Sequence, residues 1–140
     1  MSLYPGPYGF RNVISSDLWV GVHPSPPDIS FPIPLRGVLT QEKLQLERAE
    51  EEGRYRFVFY DRYVGYVKDS KNPIQLVSKS ESNETEWIIE PGPHGGTWFI
   101  RLPDTDQYWT LPPNSEPNTI LQLKELSGDK EHQLWQPFSQ

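Results

Sequence analysis

An internal repeat of about forty residues is the feature that most limits how this chain can fold. Three segments share one pattern: glycine, any residue, an aromatic residue, any residue and an apolar residue. These segments are residues 6–10, 53–57 and 96–100. Nine residues after each apolar position stands an aromatic residue, which is Trp19, Tyr66 or Trp109. Because repeats of this kind bury their apolar faces against one another, the pattern predicts one structural unit used three times.

Each repeat also carries three further runs of apolar and β-branched residues, separated by Pro, Gly, Asn and Asp, which predict short β-strands. The predicted second strands are 18–22, 64–67 and 108–111, the third are 37–39, 74–76 and 120–123, and the fourth are 44–47, 87–90 and 134–138. Helix signals are almost absent, because the Glu-, Lys- and Leu-rich stretch 41–52 alternates with period two at Leu44-Gln45-Leu46. We therefore predict an all-β protein.

Three copies of four strands fit one closed architecture best. A propeller usually needs four or more blades, and a solenoid needs capping ends. We predict a β-trefoil with three pseudo-repeats of four strands, in a single domain 1–140 with repeats at about 6–52, 53–95 and 96–140. The equivalent buried positions should be Phe10, Phe57, Ile100, Leu44, Trp87 and Trp135. An ordinary β-sandwich with coincidental aromatic spacing is the alternative.

The composition excludes several kinds of function. The chain has no cysteine, which rules out disulfides, zinc–thiolate sites and a cysteine nucleophile. The net charge of −6 argues against nucleic acid as a partner, because a phosphate backbone requires a basic surface. His23, His94 and His132 lie in predicted turns without partners at metal-ligand spacing, and no phosphate-binding or nucleophile motif is present. We predict a protein that is not an enzyme and that uses no metal and no cofactor.

The sequence also bears on location. Its first residues contain neither a basic start nor an apolar run, and no stretch approaches the roughly 18 apolar residues of a membrane helix. Fifteen prolines and ten glycines are accompanied by five Trp, seven Tyr and six Phe, which supply the apolar surface of a folded core. We expect a soluble protein with no membrane partner, which is cytoplasmic or secreted without a recognisable signal peptide.

A proline-rich segment in the first repeat, residues 23–34, is the most unusual part of the sequence. It joins the predicted second and third strands, where the other repeats use seven or eight residues, and five of its twelve residues are proline. Proline removes backbone donors and fixes φ, which favours a stiff, extended and exposed loop. Such a loop loses little entropy on binding, so it suits a substrate-like protease inhibitor or a partner that reads proline-rich segments. A surface insertion without a role is the alternative.

Several motifs together resemble the mushroom β-trefoil serine protease inhibitors. Residues 85–90 form a Thr-x-Trp-x-Ile-Glu strand, and a turn with Pro and His, 91–95, precedes an aromatic strand that follows Gly96. The Gly-x-Tyr-x-Phe opening, the Leu-Trp-Gln-Pro-Phe ending at 134–138 and the overall length are also similar to that family. The resemblance covers most of the chain.

The resemblance implies inhibition of serine proteases through the loop after the second strand of the first repeat. The protease-binding residues would be Val22, His23, Pro24, Ser25, Pro26, Pro27, Asp28, Ile29, Ser30 and Phe31. Members of the family present an arginine near the start of this loop, whereas this sequence has Val22-His23 there and no basic residue before Arg36.

Three peptide bonds are candidates for the bond presented to the protease. Val22-His23 matches the family position, Ile29-Ser30 is the best internal alternative, and Arg36-Gly37 is the trypsin-like choice, with Arg36 as the alternative basic reactive residue. Bonds followed by proline are poor substrate mimics, because proline removes the donor that proteases need. Related mushroom inhibitors of cysteine proteases share the fold and use loops that match 13–17 and 40–43, so cysteine proteases are a second class of partner.

A carbohydrate-binding lectin is the alternative function. β-Trefoil lectins of the ricin-B type carry Gln-x-Trp near the end of each repeat, and Gln133-Leu134-Trp135 is the one copy that stands at the end of a repeat in this sequence. A sugar site needs an acidic residue, an aromatic platform and an amide. The third repeat offers these in Asp104, Asp106, Tyr108, Trp109 and Asn118. An aromatic residue at the position of Trp109 is also expected in the core. Trp109 can serve as a sugar platform only if its side chain faces the solvent.

Overall fold

The computed structural model describes residues 3–22, 33–79, 84–126, 128 and 130–139. Within these ranges the regular secondary structure is β-strand, as predicted, apart from one short 3-10 helix, η1, at Lys130–Gln133. The strands are β1 (Gly6–Asn12), β2 (Trp19–Gly21), β3 (Ile33–Pro34), β4 (Arg36–Val38), β5 (Leu44–Arg48), β6 (Arg54–Phe59), β7 (Arg62–Tyr66), β8 (Ile74–Val77), β9 (Trp87–Pro91), β10 (Trp98–Arg101), β11 (Tyr108–Thr110), β12 (Thr119–Ile120), β13 (Gln122–Lys124) and β14 (Trp135–Ser139). None of the described helical residues forms a segment long and apolar enough to cross a membrane.

Six strands close into a barrel, and they are the first and fourth strands of the three predicted repeats. β1 pairs with β5 and β14, and β6 pairs with β5 and β9. β10 pairs with β9 and β14, which completes the ring. All of these pairs are antiparallel, and closure removes the free edges that an open sheet would expose. A six-stranded barrel with additional hairpins is the arrangement of a β-trefoil.

The second and third strands of each predicted repeat form a hairpin against the barrel. β2 pairs with β4, β7 with β8 and β11 with β13. Leu35, Ile74 and Leu121 precede or begin the third strands, and all three are fully buried. The Leu35 N–H donates to the Ile74 carbonyl at 3.0 Å, and the Leu121 N–H donates to the Leu35 carbonyl at 3.0 Å. These hydrogen bonds tie the three hairpins to one another.

The six predicted core residues are confirmed, because each has no exposed surface: Phe10, Phe57, Ile100, Leu44, Trp87 and Trp135. Aromatic rings form a chain of contacts through the barrel. The ring centroids of Phe10 and Phe57 are 5.4 Å apart, and those of Phe57 and Trp109 are 5.1 Å apart. Trp87 then meets Trp109 edge-on at 5.2 Å. Aromatic pairs at these separations add to the stability that burial alone supplies.

Trp19, Tyr66 and Trp109 each lie in the second strand of their repeat, but they do not occupy equivalent positions. Trp109 is fully buried, but Trp19 and Tyr66 are only partly buried. The strand register instead aligns Trp109 with Val20 and Val64, which are fully buried. Valine therefore fills the inner position in two of the three repeats.

The cause of this difference is the length of the turn between the first two strands of each repeat. β6 and β7 are joined by Tyr60 and Asp61, which have φ of 52° and 57°. Two positive φ values are typical of a tight hairpin turn of the kind that matches strand twist. Between equivalent paired residues lie four residues in this repeat (59–62, between Val58 and Tyr63), seven in the first (12–18, between Arg11 and Trp19) and six in the third (102–107, between Arg101 and Tyr108). A fixed sequence offset cannot mark the same position across turns of different length.

The prediction of an exposed loop over 23–34 is wrong for the last two residues of this segment. Ile33 and Pro34 are buried and form β3, which pairs with β8 through Ile33 opposite Leu76 and Pro34 opposite Gln75. β3 lies at the end of the strand order. Proline is tolerated there because an edge strand does not need every backbone donor.

The glycines that open the repeats have a backbone role. Gly53 and Gly96 have φ of 83° and 79°, and Gly6 has φ of 147°. A Cβ added at any of the three would meet no atom within 4 Å, so the constraint is the backbone conformation and not space. The glycine of the repeat pattern is therefore the residue that lets the chain turn into the first strand.

Replacing Gly53 by alanine should lower the free energy of unfolding by about 1–2 kcal/mol, because an L residue is strained at this φ. Gly95→Ala is the matched control, since its φ is outside the positive region and an added Cβ also meets nothing within 4 Å. The control should change stability by less than about 0.5 kcal/mol. Urea denaturation of both variants measures the difference, and equal effects would contradict the backbone role.

Candidate functional site

Val22 follows β2 and is the last described residue before the proline-rich segment. Burial and a hydrogen bond fix its position. The Val22 side chain is 2 % exposed, and its N–H donates to the Glu42 carboxylate at 3.0 Å. Gly21 makes room for this contact, because a Cβ there would lie 2.8 Å from the Glu42 carboxyl group. Glu42 belongs to the short connection between β4 and β5, so that connection fixes the start of the segment.

The chain returns to the fold at Ile33, which is anchored on a different hairpin. Ile33 is buried and pairs with Leu76 of β8. The buried Gln75 beside it donates to the Ser70 hydroxyl at 2.8 Å and to the Asn72 carbonyl at 2.7 Å. Both described ends of the proline-rich segment, Val22 after β2 and Ile33 on the hairpin of β7 and β8, are therefore buried.

The predicted protease-binding residues fall largely outside the described residues. Val22 is described, whereas residues 23–31 are not. Because the Val22 side chain is buried, it acts as an anchor and does not offer itself to a protease pocket.

Arg36, the alternative basic residue, is held by β-pairing on both sides. It lies opposite Gly21 of β2 and opposite Ile120 of β12, and its guanidinium donates to the Asn118 carbonyl at 2.9 Å. A bond presented to a protease must be free to extend along the enzyme's cleft. The Arg36-Gly37 bond is instead part of a three-stranded ladder, so this arrangement does not present it.

Two exposed apolar side chains that the sequence did not reveal lie in or beside the loops predicted for cysteine protease binding, 13–17 and 40–43. Ile14 and Leu39 are 51 % and 62 % exposed. They line a depression of about 230 Å³ together with Asp17 and Pro117. Exposed apolar residues in loops do not produce a periodic pattern, so no local signal marks them beforehand.

The five residues predicted for a sugar site do not converge on one surface. Trp109 is fully buried, so it supplies no platform to a ligand. Asp104 Oδ2 lies 3.9 Å from Arg54 Nη2. Asn118 belongs to the neighbouring hairpin, where its N–H donates to the Gly37 carbonyl at 2.7 Å.

Tyr108 and Asp106 remain at the surface beside an ion pair. The Tyr108 ring meets Phe99 edge-on at 5.6 Å. Partial burial raises the pKa of the Tyr108 hydroxyl above its ordinary value, and the charge of Glu90 raises it further. Arg101 donates to both oxygens of Glu90, at 3.1 and 3.2 Å, which holds this side of the surface in place. Among the described residues, no group of His, Cys, Asp or Glu could hold a metal ion.

Comparisons with known proteins show the fold. No family model matches the sequence, and no curated protein matches it. Among solved structures, a proteinase inhibitor from Coprinopsis cinerea is similar, with a TM-score of 0.79 at 18% identity over 99% of this chain and 100% of that chain. ThreeFoil, a designed three-fold symmetric protein, has a TM-score of 0.79 at 13% identity over 96% of this chain and 99% of that chain.

A lectin also has this fold. The ricin B-like lectin of Macrolepiota procera, solved in complex with lactose, has a TM-score of 0.74 at 15% identity over the full length of both chains. The chain thus has the β-trefoil fold. The neighbours include both inhibitors and lectins, so the fold by itself leaves the choice between these functions to the site.

Proposed function

We propose that this protein inhibits proteases, preferably serine proteases, through the segment between β2 and β3. The observation that carries this proposal is the pair of buried anchors, Val22 and Ile33, on two different hairpins. An inhibitory loop must keep its shape in the enzyme's cleft, since ordering a free loop on binding costs affinity. The similarity in fold to a proteinase inhibitor that spans the whole chain supports the same function.

The single domain 1–140 and its three four-stranded repeats are also part of this proposal. The barrel pairs and the three hairpins support them. In the second and third repeats the corresponding connections are the shorter segments 67–73 and 111–118. The long connection is thus confined to the first repeat, which agrees with one binding loop per molecule.

We propose that the presented bond lies inside the segment, and Ile29-Ser30 is the best candidate. Burial of Val22 disfavours Val22-His23, and pairing of β4 disfavours Arg36-Gly37. An apolar residue at this position suits proteases whose primary pockets accept uncharged side chains, such as elastase-like and subtilisin-like enzymes.

Replacing residues 23–32 by a short Gly- and Ser-rich turn should weaken inhibition at least about 100-fold, because it removes the contact segment while leaving both anchors. The assay uses elastase, subtilisin, chymotrypsin, trypsin and papain. The control is the double variant Ile14→Ser and Leu39→Ser, at two exposed apolar residues outside the segment, which should inhibit like the parent protein. Ile29→Arg should shift inhibition toward trypsin, since it supplies the missing basic residue.

Circular dichroism and thermal unfolding must show that the shortened protein is still folded. If it inhibits as well as the parent, the segment is not the binding site. If only the control variant loses inhibition of papain, the loops at 13–17 and 40–43 are the site and a cysteine protease is the partner. If the parent inhibits none of the five enzymes and is retained on immobilised sugars, the lectin alternative replaces the inhibitor.

A further inference from the structure

One arginine and its neighbours share the outer face of β1, β2 and β14. Phe10 and Asn12 are buried inside the barrel, so Arg11 between them points outward. Opposite Arg11 stand Trp19 on β2 and Gln136 on β14. Residues that lie opposite one another in paired strands present their side chains on the same face. The three side chains therefore form one surface.

Phe138 completes this surface, which we call the Arg11 patch: Arg11, Trp19, Gln136 and Phe138. Arg11 Cζ lies 4.7 Å from the centroid of the Phe138 ring and 5.7 Å from that of the Trp19 ring. The two rings meet edge-on, with their centroids 5.5 Å apart. Aromatic rings at these distances attract a guanidinium group. The side chain of Arg11 is thereby ordered before a partner arrives, which reduces the entropy lost on binding.

The charge of Arg11 has no carboxylate beside it in the described part of the chain. Arg54, Arg56 and Arg101 each lie close to a carboxylate oxygen, at 3.3, 2.9 and 3.1 Å. No described residue forms such an ion pair with Arg11. The sequence nevertheless has 19 acidic residues and only 13 Lys and Arg residues. The positive charge of Arg11 is therefore available to a carboxylate of another molecule.

The nitrogen atoms of Arg11 differ in how accessible they are. Nε is buried and has no hydrogen-bond partner among the described residues. Nη2 donates to Gln136 Oε1 at 3.0 Å and has a second N–H. Nη1 is not buried, and no described residue accepts a hydrogen bond from it. Nη1 and Nη2 together can donate to the two oxygens of one carboxylate, which is a strong and directional contact.

We propose that the Arg11 patch docks a protein segment that carries an aspartate or glutamate next to an apolar side chain. The carboxylate accepts hydrogen bonds from Arg11, and the apolar side chain packs on Phe138, which is 38% exposed. Arg and Trp are the residue types most enriched among those that dominate the binding energy of protein interfaces. The patch contains no residue of the segment 23–32, so it is a second binding surface and does not depend on protease inhibition.

The probe is the peptide acetyl-Gly-Leu-Asp-Leu-Gly-amide, and its control has Asn in place of Asp. NMR titration of the ¹⁵N-labelled protein should show shifts of the Trp19 indole N–H and the Arg11 Nε–H. The expected Kd is about 0.1–1 mM. The Asn peptide has the same shape but no charge, so it should bind at least about tenfold more weakly.

Arg11→Gln should weaken peptide binding at least about tenfold. The matched control is Arg48→Gln, which removes the same charge from an exposed residue of β5 and should bind like the parent. Arg11 also contacts three strands, so Phe138→Ser provides a second variant at an exposed position. It should weaken binding at least about threefold. The NMR spectrum of each variant shows whether the fold is kept, and Phe138→Ser decides if Arg11→Gln does not fold.

The absence of shifts up to about 10 mM peptide would overturn the proposal. Equal binding of the Asn peptide, or equal binding by Arg11→Gln and the parent, would also contradict it. Equal shifts with sodium acetate would assign the patch to small anions instead. A dimer in sedimentation experiments that Arg11→Gln dissociates would assign it to a second copy of the chain, which likewise overturns the proposal.

The protein with the shortened 23–32 segment separates this proposal from protease inhibition. It should bind the Asp peptide like the parent, because the Arg11 patch is unchanged. Arg11→Gln should in turn inhibit proteases like the parent. Peptide binding and protease inhibition therefore fail or succeed separately in the two experiments.

Discussion

Replacing Trp87 by alanine should lower the free energy of unfolding by about 3–5 kcal/mol, because this change opens a large cavity in the barrel. Trp87 has no exposed surface, and its ring meets Trp109 edge-on at 5.2 Å. Its Nε1 donates to the Val64 carbonyl at 2.9 Å. Trp135 makes the corresponding contact in the third repeat, where its Nε1 donates to the Trp109 carbonyl at 3.1 Å. Both indoles connect the fourth strand of a repeat with the inner residue of its second strand.

Trp87→Phe separates the contribution of the hydrogen bond from that of the ring, and Leu39→Ala serves as a surface control. Trp87→Phe keeps an aromatic ring but loses the hydrogen bond, so it should cost about 1–3 kcal/mol. Leu39→Ala, at an exposed apolar residue, should change stability by less than about 0.5 kcal/mol. Urea denaturation followed by tryptophan fluorescence gives the three values. A loss below about 1 kcal/mol for Trp87→Ala would mean that the alignment of the fourth strands is wrong.

Replacing Asn12 by leucine should lower the free energy of unfolding by about 2–4 kcal/mol. Asn12 is fully buried, its Nδ2 donates to the His132 carbonyl, and its Oδ1 accepts the Ser15 N–H at 2.9 Å. Leucine has a similar size but no polar atom, so the Ser15 N–H loses its acceptor and the buried His132 carbonyl keeps the Leu111 N–H but loses the amide donor. Each such group costs about 1–3 kcal/mol.

The matched control is Gln45→Leu, which also exchanges an amide for leucine in a barrel strand but at an exposed position. It should change stability by less than about 0.5 kcal/mol. Thermal unfolding by calorimetry compares the two proteins. Equal melting temperatures for them would show that the Asn12 hydrogen bonds contribute nothing.

The candidate site was predictable in part. The length and proline content of 23–34 marked the unusual connection, and those properties are local. The burial of Val22 and the pairing of Arg36 were not predictable, because the groups that hold them, Glu42 and Ile120, are distant in sequence. The Arg11 patch was also missed. Its side chains come from three strands that meet only when the first and third repeats pair.

The repeating unit could be predicted from the residues alone. Glycine at a positive φ and alternate burial along a strand are properties of a few neighbouring residues. Gly53 and Phe57 therefore predict a first strand without information from the rest of the chain. The fully buried Phe10, Phe57 and Ile100 follow from the same local rule.

Which side chains of the second strands face inward depends on how the whole chain folds. Trp19 and Trp109 stand at the same distance from their repeat openings, yet Trp19 lies at the surface and Trp109 in the core. Turn length sets the register of each hairpin, and a shift of one residue moves every side chain to the other face of a strand. Pairs such as β3 with β8 and β12 with β4 then join different repeats. Register and cross-repeat pairing depend on contacts between distant residues, which no local pattern contains.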